Sequence, residues 1–271
     1  RLEMLHWNYL LIICIVCLIL CAVGFYKYVY FMSIGYGFAV AGGGVCALII
    51  ALKNGWTDGI LWLAVLQTIL FIAYGARLSG FLLYREIKSS AYQKTMKNEI
   101  GLDKKIPVFV SIAIWVFCAV LYTMQVSPMF YRYANESKDV VLPVIGIVIS
   151  ICGLILESAA DKQKSAQKKA NPNMVATEGL YKIVRCPNYL GEITFWTGIF
   201  VSGITTYTGI GQWLIAVLAY IAIVYIMFNG AQRLEKRQMA RYGNDQAYND
   251  YADKTPIIIP FLPIYHLNKK G

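Results

Sequence analysis

The chain has 271 residues, of which 58% are hydrophobic and only 15% are charged, and its formal net charge is +10. Soluble globular domains usually have about 25% charged residues. The composition therefore excludes an ordinary soluble domain and predicts a multi-pass membrane protein. Because such a chain has no soluble module that could read bases, its positive charge does not indicate a nucleic-acid partner.

Seven apolar runs are long enough to cross a bilayer, which takes about 20 residues. They span residues 7–24, 29–52, 59–84, 106–125, 140–156, 189–207 and 210–230. We therefore predict an all-α fold with seven transmembrane helices, the last two forming a tight antiparallel hairpin. We expect residues 1–271 to form a single integral membrane domain. Residues 1–135 would hold helices one to four and the substrate side, and residues 136–271 would hold helices five to seven, a cytosolic tail and the cofactor-binding side.

Lysines and arginines are gathered on one side of these predicted helices. The loops after the third and fifth runs carry six each, whereas the loops on the other side hold only Lys53, Arg132 and Lys138. Short loops rich in Lys and Arg stay in the cytosol. The amino terminus is therefore predicted outside and the carboxyl terminus in the cytosol, with the protein in a bacterial inner membrane or, for a eukaryotic source, the endoplasmic reticulum.

The basic side fits two interpretations. One is topology and attraction to anionic membrane lipids, and the other is a pocket for a phosphate-bearing cytosolic ligand. The polar loop of residues 86–105 is either an ordinary connector or a cover over the mouth of that pocket.

The cysteines and histidines do not predict a metal site or a disulfide framework. Six of the seven cysteines lie within apolar runs, where a small buried thiol is the ordinary interpretation. The two histidines, His6 and His266, stand at opposite ends of the chain, so no cysteine pair has the spacing to histidine that zinc requires.

The third run carries polar side chains along roughly one helical face. Gln67, Tyr74, Arg85 and Lys88 are separated by steps of three or four residues or by sums of such steps. The rise from Tyr74 to Lys88 is about 21 Å, comparable to an extended dinucleotide. A core aromatic and snorkelling cations would explain the same residues, and a site with phosphates at the cytosolic end and a reactive ring deeper in is the functional alternative.

The end of the fifth run has four charged residues on one face. Glu157, Asp161, Lys164 and Lys168 are spaced four, three and four apart. Asp161 and Lys164 could be a surface ion pair of little energetic value. As a functional set, the carboxylates would accept hydrogen bonds from ribose hydroxyls or the nicotinamide amide, and the lysines would meet phosphate as point charges.

A basic segment leads into the sixth run and places Arg185, Asn188 and Glu192 at the entry of an apolar helix. Charges are costly there unless they meet a polar ligand. Pro187 fits the first helical turn, and a helix amino terminus favours an anion. We therefore place a cofactor here. After the last run, Arg233 begins a polar segment that is either an amphipathic surface helix or a lid with Arg233 facing phosphate.

Three motifs carry a family resemblance. They are Glu157-x-x-x-Asp161, Arg185-x-Pro-Asn-Tyr-x-Gly-Glu192 and the tail Thr255-Pro-Ile-Ile-Ile-Pro260. In these motifs the chain resembles the steroid 5-alpha-reductase family, and most closely its bacterial branch of membrane proteins with unassigned substrates. Cys186 stands where that family usually has histidine. A nucleophilic role for Cys186 would lack a general base close in sequence.

The resemblance implies NADPH as cofactor and Tyr74 as the residue that polarises a substrate carbonyl. The steroid reductases pair that tyrosine with a glutamate on helix two, which has no acid here. Either Gln67, two turns along the same face, orients the Tyr74 hydroxyl or no group does. The full cofactor-binding set is Arg85, Lys88, Glu157, Asp161, Lys164, Lys168, Arg185, Asn188, Tyr189, Glu192 and Arg233.

Two enzymatic functions compete on these residues. The first is an NADPH-dependent reductase of a carbon–carbon double bond conjugated to a carbonyl, in a lipid-like or steroid-like small molecule. The second is a membrane S-adenosylmethionine-dependent methyltransferase resembling the isoprenylcysteine carboxyl methyltransferases. Those enzymes typically have two adjacent glutamates after the last helix, whereas Glu235 stands alone between Leu234 and Lys236. The match at Asn188, Glu192, Glu157 and Asp161 favours the reductase.

Overall fold

The structure is a computed structural model that describes residues 5–88 and 106–268. Within those ranges all regular structure is helical, which confirms the all-α prediction. The α-helices are α1 (Trp7–Cys21), α2 (Ile34–Lys53), α3 (Leu61–Lys88), α4 (Val108–Ala134), α5 (Val141–Ala170), α6 (Pro187–Gly203), α7 (Gly209–Tyr242) and α8 (Gln246–Ala252). The proposed cover of residues 86–105 lies, from residue 89 onward, outside the described residues.

Six helical segments of the described chain are long and apolar enough to span a membrane. They include α1 to α5 and α7, with the first two extended by short 3₁₀ segments, Ala22–Phe25 and Tyr28–Met32. The remaining predicted run is α6, whose 17 residues rise about 26 Å. The protein is thus an integral multi-pass membrane protein, as predicted.

Several helices continue past the apolar runs that predict them. The longest, α7, has 34 residues and a rise of about 51 Å, well beyond the roughly 30 Å of hydrocarbon. A helix satisfies its own backbone hydrogen bonds, so it can leave the bilayer without a break once its side chains become polar. The connection between α6 and α7 is also longer than the two residues expected, because it comprises residues 204–208.

The chain divides into two compact units. The first consists of Arg1–Val144 and Phe200–Ala219, and the second of Ile145–Ile199 and Tyr220–Gly271. The expectation of one integral domain with a division near residue 135 stays a prediction.

In the first unit, glycines let α2 and α3 approach closely. A Cβ added at Gly37 would lie 2.1 Å from Ser79 Oγ and 2.9 Å from the Gly75 carbonyl oxygen. One added at Gly44 would lie 3.0 Å from Phe71 Cβ. Small residues are the usual means of close helix contact in membranes. The glycines of α2 therefore serve helix packing.

Helix α4 contains a proline and a buried arginine, and hydrogen bonds within the first unit satisfy the polar groups around both. Pro128 cannot donate to the carbonyl of Met124, and the Ser127 hydroxyl donates to that carbonyl instead at 2.6 Å. Arg132, expected in a loop, lies in the last turn of α4 with 0% exposure. Its guanidinium donates to the Ser202 carbonyl and forms an ion pair with Asp139 at 3.0 Å. Multiple acceptors make this burial tolerable.

Candidate functional site

The candidate site of the second unit begins with the contact between α5 and α6. A Cβ added at Gly191 would lie 2.8 Å from the backbone nitrogen of Glu157, and one at Gly153 would lie 2.5 Å from the backbone nitrogen of Phe195. Numbers rise along α5 as they fall along α6, so the two helices are antiparallel. Continued by one turn, the same register brings Asp161 level with the first turn of α6.

Two of the predicted carboxylates are almost fully buried in this contact region. Glu157 is 7% exposed and Glu192 is 4% exposed. Glu192 accepts a hydrogen bond from the indole nitrogen of Trp196, one turn further along α6, at 3.0 Å. Asp161 is half-buried. Burying a carboxylate costs free energy unless hydrogen-bond donors face it. The burial of Glu157 and Glu192 therefore indicates a polar environment in this region.

The entry of α6 also has a tyrosine from the preceding 3₁₀ turn, Gly179–Lys182. The Tyr181 hydroxyl donates to the Ala160 carbonyl of α5 at 3.2 Å. Burial, assisted by the nearby negative charge of Asp161, raises the pKa of Tyr181. Tyr181 therefore stays a neutral donor that fixes the loop onto α5. Asn188, half-buried, lies in the first turn of α6.

Cations approach the same region from α7. Arg233 and Arg237 are exposed and sit one turn apart, and both act electrostatically on the hydroxyl of Tyr189, as does Asp161. Lys164 on α5 is half-buried and acts on the Cys186 thiol. Arg237 was not among the predicted cofactor residues, although its spacing of four from Arg233 was visible in the sequence.

Arg185 has protein partners for most of its donors. The guanidinium donates to Glu235 at 2.9 Å, to the Tyr265 carbonyl at 2.8 Å and to the Tyr248 hydroxyl at 3.2 Å. Its Nε is buried without a hydrogen-bond partner. The backbone nitrogen of Arg185 also donates to the Pro256 carbonyl. Arg185 thus links the start of α6 to α7 and to the carboxyl-terminal tail.

Glu235 anchors the tail, a role that sequence reasoning missed. Besides Arg185, it accepts from the backbone nitrogens of Leu267 and Asn268 at 2.9 and 3.0 Å and contacts the His266 ring at 2.9 Å. His266 also contacts Asp253 at 2.7 Å. All of these Glu235 partners are more than 30 residues away in the sequence. No local sequence pattern could therefore have predicted the contacts.

Lys168 is likewise occupied by the protein. Its ammonium donates to the carbonyls of Pro172 and Met174, both at 2.8 Å, and to the Tyr242 hydroxyl at 3.1 Å. The lysine therefore closes the loop after α5 and fastens it to the end of α7. A phosphate would have to replace one of these three acceptors, and the phosphate role of Lys168 stays a prediction.

Cys186 is buried and has an ordinary structural environment. It packs with Ala231, Ile257 and Ile258 in an apolar cluster. Burial raises the pKa of its thiol to about 11, although the charge of Arg185 acts in the opposite direction. Because the thiolate is the nucleophilic form, the environment disfavours a nucleophilic Cys186.

In the first unit, the predicted polar residues on one face of α3 become more exposed toward the carboxyl end of the helix. Tyr74 and Gln67 are buried, Arg85 is half-buried and Lys88 is exposed. The Arg85 guanidinium lies over the Phe81 ring, 5.4 Å from its centroid, and Lys88 lies over Tyr84 at 5.6 Å. The two cations thus rest on aromatic neighbours of their own helix at the end of α3.

The surroundings of Tyr74 contain two polar residues that were not predicted. The ring of Tyr36 meets the Tyr74 ring edge-on, with centroids 5.7 Å apart. Gln125 Nε2 donates to the Tyr36 hydroxyl at 3.0 Å. Tyr36 comes from α2 and Gln125 from α4, so only packing brings Tyr36 to Tyr74 and Gln125 to Tyr36. Neither lies in a sequence pattern that would have indicated this arrangement.

The fold and these buried polar clusters define a multi-pass membrane protein with ionisable groups inside it. The chain belongs to the DUF1295 family, described as proteins of unknown function, whose model matches residues 36–255. It is also similar to the steroid 5-alpha-reductase DET2 of Gossypium hirsutum, with 22% identity over 191 residues, which cover 68% of this chain and 69% of the relative. No solved structure matches the chain significantly. The resemblance to the steroid 5-alpha-reductase family is confirmed.

Proposed function

We propose that the protein is an NADPH-dependent membrane reductase of a carbon–carbon double bond conjugated to a carbonyl in a lipid or steroid-like substrate. The similarity to a steroid 5-alpha-reductase supports an oxidoreductase. The observation that carries the proposal is the group of carboxylates and cations around the α6 entry in the second unit. Glu157, Asp161 and Glu192 are buried or half-buried there, while Arg233 and Arg237 are exposed near Tyr189.

This set of side chains fits the chemistry of a dinucleotide phosphate. Carboxylates accept hydrogen bonds from ribose hydroxyls and from the carboxamide, and guanidinium groups bind phosphate in a bidentate manner. Arg233 and Arg237 would hold phosphate, and Asp161, Glu192 and Asn188 would hold the hydroxyl and amide groups. NADPH supplies a hydride, and the protein supplies orientation and a dry environment.

Tyr74 supplies the polar group for the substrate. When hydride adds to the distal carbon of an enone, negative charge develops on the carbonyl oxygen. A phenol hydroxyl stabilises that charge by donating a hydrogen bond, and can protonate it. The buried position of Tyr74 in the first unit strengthens this interaction, because electrostatic effects are larger away from water. The partners we expect are a lipid-like small molecule and the surrounding membrane lipids.

The test is thermal unfolding of the detergent-solubilised protein with candidate cofactors. NADPH should raise the melting temperature, since a ligand at 100 times its Kd stabilises the native state by about 2.7 kcal/mol. NADH, which lacks the additional phosphate, should raise it less, and S-adenosylmethionine should leave it unchanged. Stabilisation by S-adenosylmethionine and not by NADPH would instead establish the methyltransferase alternative.

The surroundings of Glu235 support the reductase over that alternative. The methyltransferases have two adjacent glutamates after the last apolar run, whereas this chain has the single Glu235, which the structure places within α7. That single carboxylate is engaged by Arg185, His266, Leu267 and Asn268. Glu235 therefore serves the attachment of the tail.

A further inference from the structure

The tail after α8 has an apolar segment that protrudes from the second unit. Residues 256–265 include no charged side chain. Within this segment Phe261 is 97% exposed, and Leu262 and Ile264 are 44% and 37% exposed. An apolar run of about this length is typical of a buried core segment or of one at a membrane interface. The exposure of residues 261–264, the tail tip, excludes the buried core for this part of the segment.

The base of the segment lies at the level where α7 leaves the hydrocarbon. Ile257 and Ile258 form an apolar cluster with Ala231 of α7, and Phe228 packs against this cluster. The apolar run of α7 ends at residue 230, so Phe228 and Ala231 mark the boundary of its membrane-spanning part. Phe261 is four residues past Ile257, and four residues of extended chain reach about 14 Å at most. The tail tip is therefore close to the membrane boundary.

Hydrogen bonds hold the base of the tail tip in place. The backbone nitrogen of Ile257 donates to the Ile264 carbonyl at 2.8 Å and so closes the loop between them. The backbone nitrogen of Cys186, just before α6, donates to the Ile257 carbonyl at 2.9 Å. Pro260 and Pro263, within the loop, have no N–H group. The loop therefore has fewer donors that would lose their water on contact with the membrane.

Phe261 occupies a backbone conformation that disfavours phenylalanine. Its φ is 66°, in the left-handed region that glycine adopts readily. Strain of this kind is concentrated at functional positions. An apolar ring on such a turn is unfavourable in water and favourable among acyl chains, because burial removes its apolar surface from water. The turn therefore presents the ring to an apolar medium outside the protein.

We propose that the tail tip inserts into the leaflet in which the apolar run of α7 ends, and that it anchors the tail to phospholipid. Its apolar side chains meet the acyl chains just below the headgroups, as those of other interfacial segments do. The same tail is bonded to Arg185 and Glu235 beside the start of α6. The anchor therefore connects the lipid surface to that part of the second unit, whatever reaction the protein catalyses.

Site-specific photocrosslinking tests the insertion. Phe261→p-benzoylphenylalanine keeps an aromatic side chain, whose ketone bonds to a nearby C–H group on irradiation. The whole chain, reconstituted in vesicles of phosphatidylethanolamine and phosphatidylglycerol, should gain the mass of one phospholipid at this position. The same substitution at Leu218, exposed in the apolar run of α7, is the positive control. Asn244 is the matched exposed control in water, because α7 continues about 18 Å past its apolar run before Asn244 follows. Its lipid adducts should be at least about 10-fold fewer.

Hydrogen exchange in the same vesicles measures the anchoring. Phe261→Asp puts a charge where acyl chains should lie, so the backbone N–H groups of Ile257 and Ile264 should exchange about 10-fold or more faster than in the wild type. Phe261→Gly separates anchoring from a purely structural role. Glycine relieves the strained φ, which alone would slow exchange, whereas loss of the anchoring ring speeds it. Asn244→Asp should leave exchange in the tail unchanged.

Three results would overturn the inference. The first is an absence of phospholipid adducts at Phe261 while Leu218 gives them, or an equal yield at Phe261 and Asn244. The second is crosslinking of Phe261 to another copy of the chain in place of lipid. The third is exchange in the tail that stays at the wild-type rate, or becomes slower, in both Phe261 variants. None of these measurements uses a cofactor or a substrate, so the reductase proposal stands or fails separately.

Discussion

At the scale of single residues, the buried charged groups differ in how they are satisfied. Arg132 is 0% exposed, and carbonyl oxygens and Asp139 take up its donors. The guanidinium of Arg185 likewise donates to Glu235 and to the Tyr265 carbonyl, although its Nε has no partner. Such arginines hold segments together. Asp161 is half-buried and Arg233 is exposed, and both lie near Tyr189.

Tyr74→Phe tests the proton donor. The change removes a hydroxyl with little change in volume, so NADPH should still bind while turnover falls about 10²-fold or more if the hydroxyl is a general acid. The measurement is NADPH oxidation per folded protein with an enone substrate. Tyr133→Phe is the control, since the Tyr133 hydroxyl is buried in the same unit but donates to the Ala64 carbonyl. Unchanged turnover in Tyr74→Phe would remove Tyr74 from the mechanism.

Asp161→Ala and Glu192→Ala test the cofactor region. Each substitution should raise the Kd for NADPH about 10-fold or more, because hydrogen bonds to a charged group contribute about 1.5–3 kcal/mol. Binding is measured by fluorescence titration. Asp250→Ala removes an exposed carboxylate from α8 and should leave the Kd unchanged. If both site variants bound NADPH with wild-type affinity, the cofactor would bind elsewhere in the protein.

At the scale of elements, the contact between α5 and α6 depends on glycine. The backbones at Gly153 and Gly191 approach so closely that side chains there would meet backbone atoms at 2.8 Å or less. Backbone atoms cannot move aside as the end of a flexible side chain can. The motif Asn-Tyr-x-Gly-Glu therefore has a packing glycine next to a polar residue, and the same contact positions Glu157.

Gly191→Ala should separate the two helices and destabilise the protein by about 1–3 kcal/mol, the usual effect of overpacking. The melting temperature should fall, and NADPH affinity should fall with it because Glu157 moves. Gly80→Ala is the matched control, since a Cβ there meets nothing within 4 Å. That substitution should be neutral or slightly stabilising, because alanine favours a helix over glycine. Equal melting temperatures for the two variants would contradict the close contact.

At the scale of the whole molecule, charge sets the expected orientation in the membrane. We expect the loop after α2 outside and the loop after α5 in the cytosol. Cysteines introduced at Asp58 and Lys182, both exposed, should react differently with a membrane-impermeant maleimide. Asp58→Cys should be labelled in intact cells, and Lys182→Cys only after permeabilisation. The unmodified chain reports background labelling, and the reverse pattern would invert the topology.

Much of the architecture was predictable because it depends on local sequence. An apolar run of about 20 residues can satisfy its backbone in a bilayer only as a helix, and this argument needs no long-range information. It gave the all-α membrane fold. The helix ends were less predictable, as in α7, because apolarity stops at the membrane surface while helical hydrogen bonding continues.

The sequence by itself determined the membrane class and the family resemblance, whereas the grouping of Asp161, Asn188 and Glu192 in one cofactor site stays a prediction. Only the tertiary structure decided that Arg185 is paired with Glu235, 50 residues away, and that Gln125 lies beside Tyr36 at a separation of 89 residues. The reason is physical. Helical periodicity fixes which face a side chain occupies, but its partner on another helix depends on the depth, register and closeness of packing.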